Sequence, residues 1–242
     1  LKKANDDIYA WIYIPNTNVD YPIVQSSVYE SDTLYLDHNI DKKPDIAGAI
    51  FSERANRKDF SDPVTVIYGH NMKNGSMFKT LHSFEDAKFF KKNKFIYIYT
   101  EKRKLTYKIY SAYVYDDRHI LNAFKLSDKK VLKKYFEYTT NPNSLSKNIR
   151  KVSLDINSKI ITLSTCTNGA LTEDKDLENL SNAGDNTDNT VSHNLDKEES
   201  STEKEVSDAH SSHHHHHHYH HNTDVIHDNG DGETFEVDWD TI

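Results

Sequence analysis

One cysteine, Cys166, stands in a chain of 242 residues, so no internal disulfide can form and a lone thiol has to be accounted for. Nowhere are there eighteen consecutive apolar residues, so the sequence contains no membrane-spanning helix. A secretory leader is also missing, because the opening LKKANDD is followed by no apolar stretch. The chain begins at Leu1 rather than Met, which reads as a fragment that an anchor or signal could precede. No segment has the pattern of a nucleic-acid-binding module. Arginine is absent beyond Arg150.

The charge is divided. Residues 171–242 hold nineteen Asp or Glu against Lys175, Lys197 and Lys204, a net of −16. The remaining 27 basic and 19 acidic residues give residues 1–170 a net of +8. A basic, tyrosine-rich block is thus followed by an acidic, histidine-rich one. Two domains are expected: residues 1–169 as a folded unit, and residues 170–242 as an acidic tail too poor in aromatics to order itself. Within that tail, ETFEVDWDTI (233–242) alternates Phe235, Val237 and Trp239 and is a candidate short strand.

The folded unit reads as β-rich. Strands are expected at 9–15, 19–25, 48–53, 64–70, 95–100, 105–115 and 159–166, with Pro22 arguing for an edge or irregular position in the second. Segments 31–37 and 76–84 suit short helices, the first with Ser31 or Asp32 as cap. Residues 128–140 place Val131, Leu132, Tyr135, Phe136 and Tyr138 at amphipathic spacings, and Asn141-Pro142 ends the helix. The fold class expected is mainly β: a closed or nearly closed mixed barrel of seven to eight strands with short helices.

Cys166 closes the apolar strand KIITLSTC, where a thiol would meet a rim rather than a core, and a nearby imidazole would favour the reactive thiolate. Of the four histidines in the first block, His70 ends its own strand in VIYGHNM, with Gly69 permitting a sharp turn. His38, His82 and His119 sit in loops or helices without a comparable setting. Spacing alone leaves the plain alternatives open: a buried structural thiol and a surface histidine.

The strings around these residues resemble the sortase family, class B in particular. YGHNM (68–72) is similar to the sortase histidine motif and TLSTC (162–166) to its nucleophile motif. LYLDHNI (34–40) followed by GAIFSE (48–53) resembles the class B stretch between the second and third strands. DIYAWIYIPNTNVDYPIVQ (7–25) matches the usual first hairpin, and the helix at 128–140 stands where class B members carry one, between the sixth and seventh strands.

This resemblance implies an extracellular enzyme of the membrane face and cell wall in Gram-positive bacteria, held to the membrane only through an N-terminal anchor. Such enzymes need no cofactor or metal. Their partners are surface proteins bearing a C-terminal sorting signal and a peptidoglycan amine acceptor. Cys166 would attack the threonine carbonyl of an NPxTx-like pentapeptide to form a thioacyl enzyme, and an amine would resolve it. His70 would protonate the leaving amine and deprotonate the incoming one. Ser164 and Thr165 would line the substrate groove, with simple strand packing as the plain alternative.

One departure stands out. Sortases carry an arginine on the strand after the nucleophile, roughly ten residues on. Here TNGALTEDKDLENL (167–180) does not read as that strand and offers only Lys175, whose ammonium cannot copy a forked guanidinium. The strand is lost, or displaced to 233–242, or Arg54, Arg57 or Arg118 reaches the site. Loss is the favoured reading, with weak or absent activity in this chain. The rival function is a non-catalytic surface or metal-binding protein built on a degenerate sortase barrel; a thiol hydrolase is a third. HHHHHHYHH (213–221) has the composition to bind Zn²⁺ or Ni²⁺, with a purification tag as the plain reading. DNGDGE (228–233) faintly resembles a calcium loop but lacks the required glutamate.

Overall fold

A computed structural model of the chain describes residues 5–115, 118–166 and 221–228. Nine strands form one sheet: β1 Ile8–Tyr13, β2 Asp20–Val24, β3 Ile50–Phe51, β4 Val64–Tyr68, β5 Phe95–Thr100, β6 Lys104–Val114, β7 Lys147–Ile149, β8 Ile160–Cys166 and β9 His221–Asp228. Their spatial order is β5-β1-β2-β3-β4-β8-β9-β6-β7, and β5 also pairs with β6, so eight strands close into a ring with short β7 outside it. The pairs β2–β3 and β4–β8 are parallel and the others antiparallel, as a mixed barrel requires.

The closure follows from the residues. Alternation along IYAWIY buries Ile8, Ala10 and Ile12, and Ile96 and Ile98 of β5 meet them inside. Ala10, Ile12, Ile96 and Ile98 join Ile23, Ile50, Ile67, Leu105, Ile109, Ile161 and Leu163 in one barrel core, while Ile8 packs with Val24, Tyr35 and Phe51. Burying each such side chain contributes about 1.5–3 kcal/mol against exposure. Pro22 pairs with Trp11 of β1, whereas β2 meets β3 only at Ile23 and Val24, so the position opposite its missing N–H carries no ladder bond.

Three helices decorate the ring: α1 Ala87–Lys92, α2 Ile120–Ala123 and α3 Lys129–Thr140, with 3-10 turns at Leu34–Leu36 and Lys79–Glu85. The cap of the first 3-10 turn is Thr33 without a side-chain bond, not Ser31 or Asp32. Helix α1, unforeseen in the lysine run 89–94, starts where Asp86 accepts the Phe89 amide and ends on Lys91 and Lys92, which suit its negative pole. Asp128 caps α3 through the amides of Lys130 and Val131. Leu132, Tyr135, Phe136 and Thr139 form the buried face of α3; Val131 and Tyr138 are only half-buried. That face packs outside the ring against Val64, Val66, Tyr110, Tyr113 and Ile160, and Tyr110 and Thr139 share a 2.8 Å hydroxyl contact. This second layer explains why β6 is buried on both faces from Ile109 to Tyr113.

Strand β9 departs from the sequence reading, in which 170–242 was a tail and the strand beside β8 was lost. Residues 221–228 fill that place, between β8 and β6. The cause is tertiary: an unfilled gap would leave two rows of backbone donors and acceptors unpaired. HNTDVIHD alternates too poorly to announce such a role. The candidate strand 233–242, Lys175, the histidines 213–218 and 220, and DNGDGE beyond Asp228 lie outside the described residues. Among the described residues no helix is long and apolar enough to cross a membrane, and no group of His, Cys, Asp or Glu is arranged to hold a metal ion.

Candidate active site

Strands β4 and β8 run parallel in the register Val64–Ile160, Val66–Thr162 and Tyr68–Ser164. Gly69 extends the ladder by donating its amide to the Ser164 carbonyl at 3.1 Å. His70 follows Tyr68 by two residues and Cys166 follows Ser164 by two. The two positions therefore emerge at the same end of neighbouring strands, whose backbones lie about 4.8 Å apart. The parallel register brings together two residues far apart in the chain.

His70 is heavily braced. It is 6% exposed, its carbonyl accepts the Phe78 amide at 2.9 Å, and its ring Nε2 lies 2.5 Å from the Leu36 carbonyl. A carbonyl only accepts, so that nitrogen carries the proton. A side chain at Gly69 would sit 2.5 Å from Ile50 Cδ1 and 2.7 Å from the Phe78 ring, so only glycine lets the chain turn there. A side chain at Gly48, where φ is 57°, would likewise collide with the carbonyls of Tyr35 and Leu36. Ala49 donates to the Tyr35 carbonyl at 2.9 Å. The strings LYLDHNI and GAIFSE thus meet in space and hold the carbonyl that orients His70.

Ser164 and Thr165 are buried in β8, each 2% exposed. Thr165 Oγ1 finds no hydrogen-bond partner among the described residues. On the far side of β8, β9 places Thr223 beside Ser164, Asn222 beside Thr165 and His221 beside Cys166, and contains no arginine.

The arginines named from sequence fare differently. Arg54 donates to Ser26 Oγ at 3.0 Å, the Ser27 carbonyl at 2.9 Å and the Glu30 carbonyl at 3.2 Å, which commits it to the 26–32 loop. Arg57 is exposed beside Asp62 at 3.8 Å. Arg118 lies over the Tyr115 ring at 5.6 Å, one residue before His119. His119 itself, set aside in the sequence, reaches this region: its Nε2 is 3.4 Å from the Tyr68 hydroxyl and 2.8 Å from Glu53. Glu53 raises the His119 pKa above its ordinary value, against the opposing effect of burial. No local pattern announced this contact, because the partners stand 66 positions apart. His38 and His82 instead bond locally, to Asp37 at 2.6 Å and Glu85 at 2.7 Å.

Comparison with known proteins bears on the family and the fold. A family model of the sortase domain matches residues 12–180. Sortase B of Listeria monocytogenes is 44% identical over 89 residues, covering 37% of this chain and 35% of the relative. Sortase B of Staphylococcus aureus is 26% identical over 168 residues, covering 69% of this chain and 66% of the relative. The chain thus matches about a third and somewhat under two thirds of these curated relatives' lengths. A crystal structure of Clostridium perfringens sortase B superposes with a TM-score of 0.60 at 34% identity, covering 68% of this chain and 88% of that one. With a family model across more than half its length and a mixed barrel shared with sortase B structures, this chain belongs to the sortase family, class B.

Proposed function

We propose that this chain is a cysteine transpeptidase that cleaves an NPxTx-like sorting signal after threonine and joins it to a peptidoglycan amine. The observation that carries the reading is the β4–β8 register, which puts His70 and Cys166 at one rim of adjacent parallel strands. In the first half-reaction the Cys166 sulfur forms a bond to the threonine carbonyl carbon, and the carbon–nitrogen bond breaks. His70 gives the departing amine a proton. In the second, the acceptor amine loses a proton to His70, attacks the thioester carbon and releases the thiolate. Dividing one amide exchange into two steps is the gain of covalent catalysis.

Ser164 and Thr165 would border the bound peptide, and the Thr165 hydroxyl, which has no hydrogen-bond partner among the described residues, is a group that a substrate backbone would satisfy. The enzyme would work at the outer membrane face and cell wall, with surface proteins as donors. The weak point is charge. The tetrahedral intermediate carries an oxyanion, and β9 offers no guanidinium beside it. Turnover is therefore expected to be slow. The same deficit favours a second reading, a sortase barrel that binds without turning over.

Cleavage of a quenched NPxTG-type peptide, with Cys166→Ala and His70→Ala as blanks, separates the two. Slow cleavage that both substitutions abolish supports the enzyme. Binding without cleavage in the unaltered chain selects the non-catalytic barrel, and added amine distinguishes transfer from hydrolysis.

A further inference from the structure

From a buried polar network behind the turn that carries the Leu36 carbonyl, we infer that Asp7 and Tyr35 are positioning residues for His70. They hold in place the backbone oxygen that fixes where the imidazole proton sits. This rests on the transpeptidase reading, in which His70 moves protons. It adds residues that neither YGHNM nor TLSTC contains.

The turn cannot hold itself. Leu34–Leu36 is a 3-10 turn of three residues, and Thr33 gives it no side-chain cap. Its placement therefore depends on contacts from outside the turn. Part of that support is apolar, since the Tyr35 ring packs with Ile8, Val24, Ala49 and Phe51. A phenylalanine would fill the same space, so packing does not account for the hydroxyl.

The hydroxyl is the centre of a matched set. Tyr35 is 0% exposed; it donates to Asp7 Oδ2 at 2.7 Å and accepts from Asn5 Nδ2 at 2.7 Å. Burial pushes the Tyr35 pKa up, which keeps that proton in place. Asp7 Oδ2 also receives Lys42 Nζ at 2.9 Å, and Lys42 reaches Glu30 at 2.7 Å. Asn5 gives a further amide hydrogen to the Ile40 carbonyl at 2.7 Å and accepts the Asp7 amide at 2.9 Å. The Asp7 carbonyl accepts the Gln25 amide at 3.0 Å, so the set is rooted where β1 begins and β2 ends.

The route to the site is short. Tyr35 precedes Leu36, whose carbonyl lies 2.5 Å from His70 Nε2. The network thus joins the start of the first strand to the oxygen that holds the Nε2 proton. With that proton held, the lone pair lies on Nδ1, the nitrogen that then takes up and returns protons. A buried carboxylate and ammonium are costly as a means of packing, but a fully matched set specifies a single arrangement. Removing the Tyr35 hydroxyl leaves Asp7 and Asn5 each short of a partner, so the turn should loosen along with them.

The test compares the full chain with Tyr35→Phe, Asp7→Ala and Asp7→Asn, and uses the spectrum of His70→Ala to identify the His70 signals. Nitrogen-15 shifts of the imidazole report which nitrogen carries the proton, and iodoacetamide labelling at pH 7 reports the Cys166 thiolate. In the unaltered chain His70 should show a protonated Nε2. In Tyr35→Phe and Asp7→Ala its two nitrogen shifts should move towards each other, and labelling should slow by roughly threefold. Asp7→Asn keeps an oxygen that can accept from both Tyr35 and Lys42, so it should preserve the His70 signature. A lower denaturation midpoint in Tyr35→Phe and Asp7→Ala with unchanged His70 shifts would overturn the inference, because the network would then be structural only. Equal shifts in Asp7→Asn and Asp7→Ala would overturn the route through the hydroxyl. Equal labelling of the unaltered chain and His70→Ala would instead sink the transpeptidase reading, while the nitrogen shifts still decide whether the network holds the imidazole. Near-ultraviolet circular dichroism guards against a general loss of fold.

Discussion

The nucleophile strand has two unlike flanks. On one side β4 and β8 present VTVIY and IITLS, both β-branched and buried. On the other side β9 contributes HNTDVIHD, a strand with two histidines and two aspartates. The first flank unites local preference with tertiary demand, since a continuous apolar run suits a parallel pair covered on both faces. The second is a strand because two neighbours need their backbone groups paired. Chemistry divides the same way: the braced histidine is on the β4 flank, and the flank where an arginine is expected has none. A site can be half encoded by its own motifs and half dependent on whatever occupies the adjoining edge.

Substitutions can break this contrast in order of size. Leu163→Ala empties a fully buried position in the barrel core and should lower global stability by about 3 kcal/mol, read from the denaturation midpoint. Gly69→Ala forces a methyl group against Ile50 and Phe78 and should cost about 1–3 kcal/mol. It should also displace His70, so peptide cleavage should fall further than stability explains. Val225→Pro removes a ladder donor on the β9 flank, where position 225 pairs with Ser111 and Thr162. A loss near 1 kcal/mol is expected, with faster amide exchange in β8 and β6. An equal or larger loss than for Leu163→Ala would erase the distinction between the flanks.

The smallest effect is titration of His119. Its pKa is raised, so the Glu53 pair adds stability fully present below the ordinary histidine value of about 6.5, lost as pH rises through the folded value. Both groups are partly solvated, so the contribution should stay below about 1 kcal/mol. Glu53→Gln should flatten the midpoint across that window; a slope equal to that of the unaltered chain would assign the titration to another group.

Much of this was legible in the sequence, for identifiable reasons. Period-two alternation marked β5 and β6, an apolar run stopped by Pro15 marked β1, and amphipathic spacing ended by Asn141-Pro142 marked α3. YGHNM and TLSTC singled out His70 and Cys166 through their resemblance to the sortase motifs, since a strand-end position alone left the plain alternatives open. Other features were hidden because they exist only in the fold. The Leu36 carbonyl on His70, the Glu53–His119 contact and the insertion of 221–228 join segments that local patterning cannot relate. α1 was masked by its lysines, whose charges obscured the buried Phe90.

The central claim is that Cys166 and His70 act as a pair, and thiol reactivity tests it most directly. Iodoacetamide labelling of the single cysteine is followed at pH 7 in the unaltered chain and in His70→Ala. The account predicts labelling about tenfold faster when His70 is present, because the imidazole favours thiolate. Equal rates in two folded proteins would contradict it and leave Cys166 a structural thiol at the end of a barrel strand.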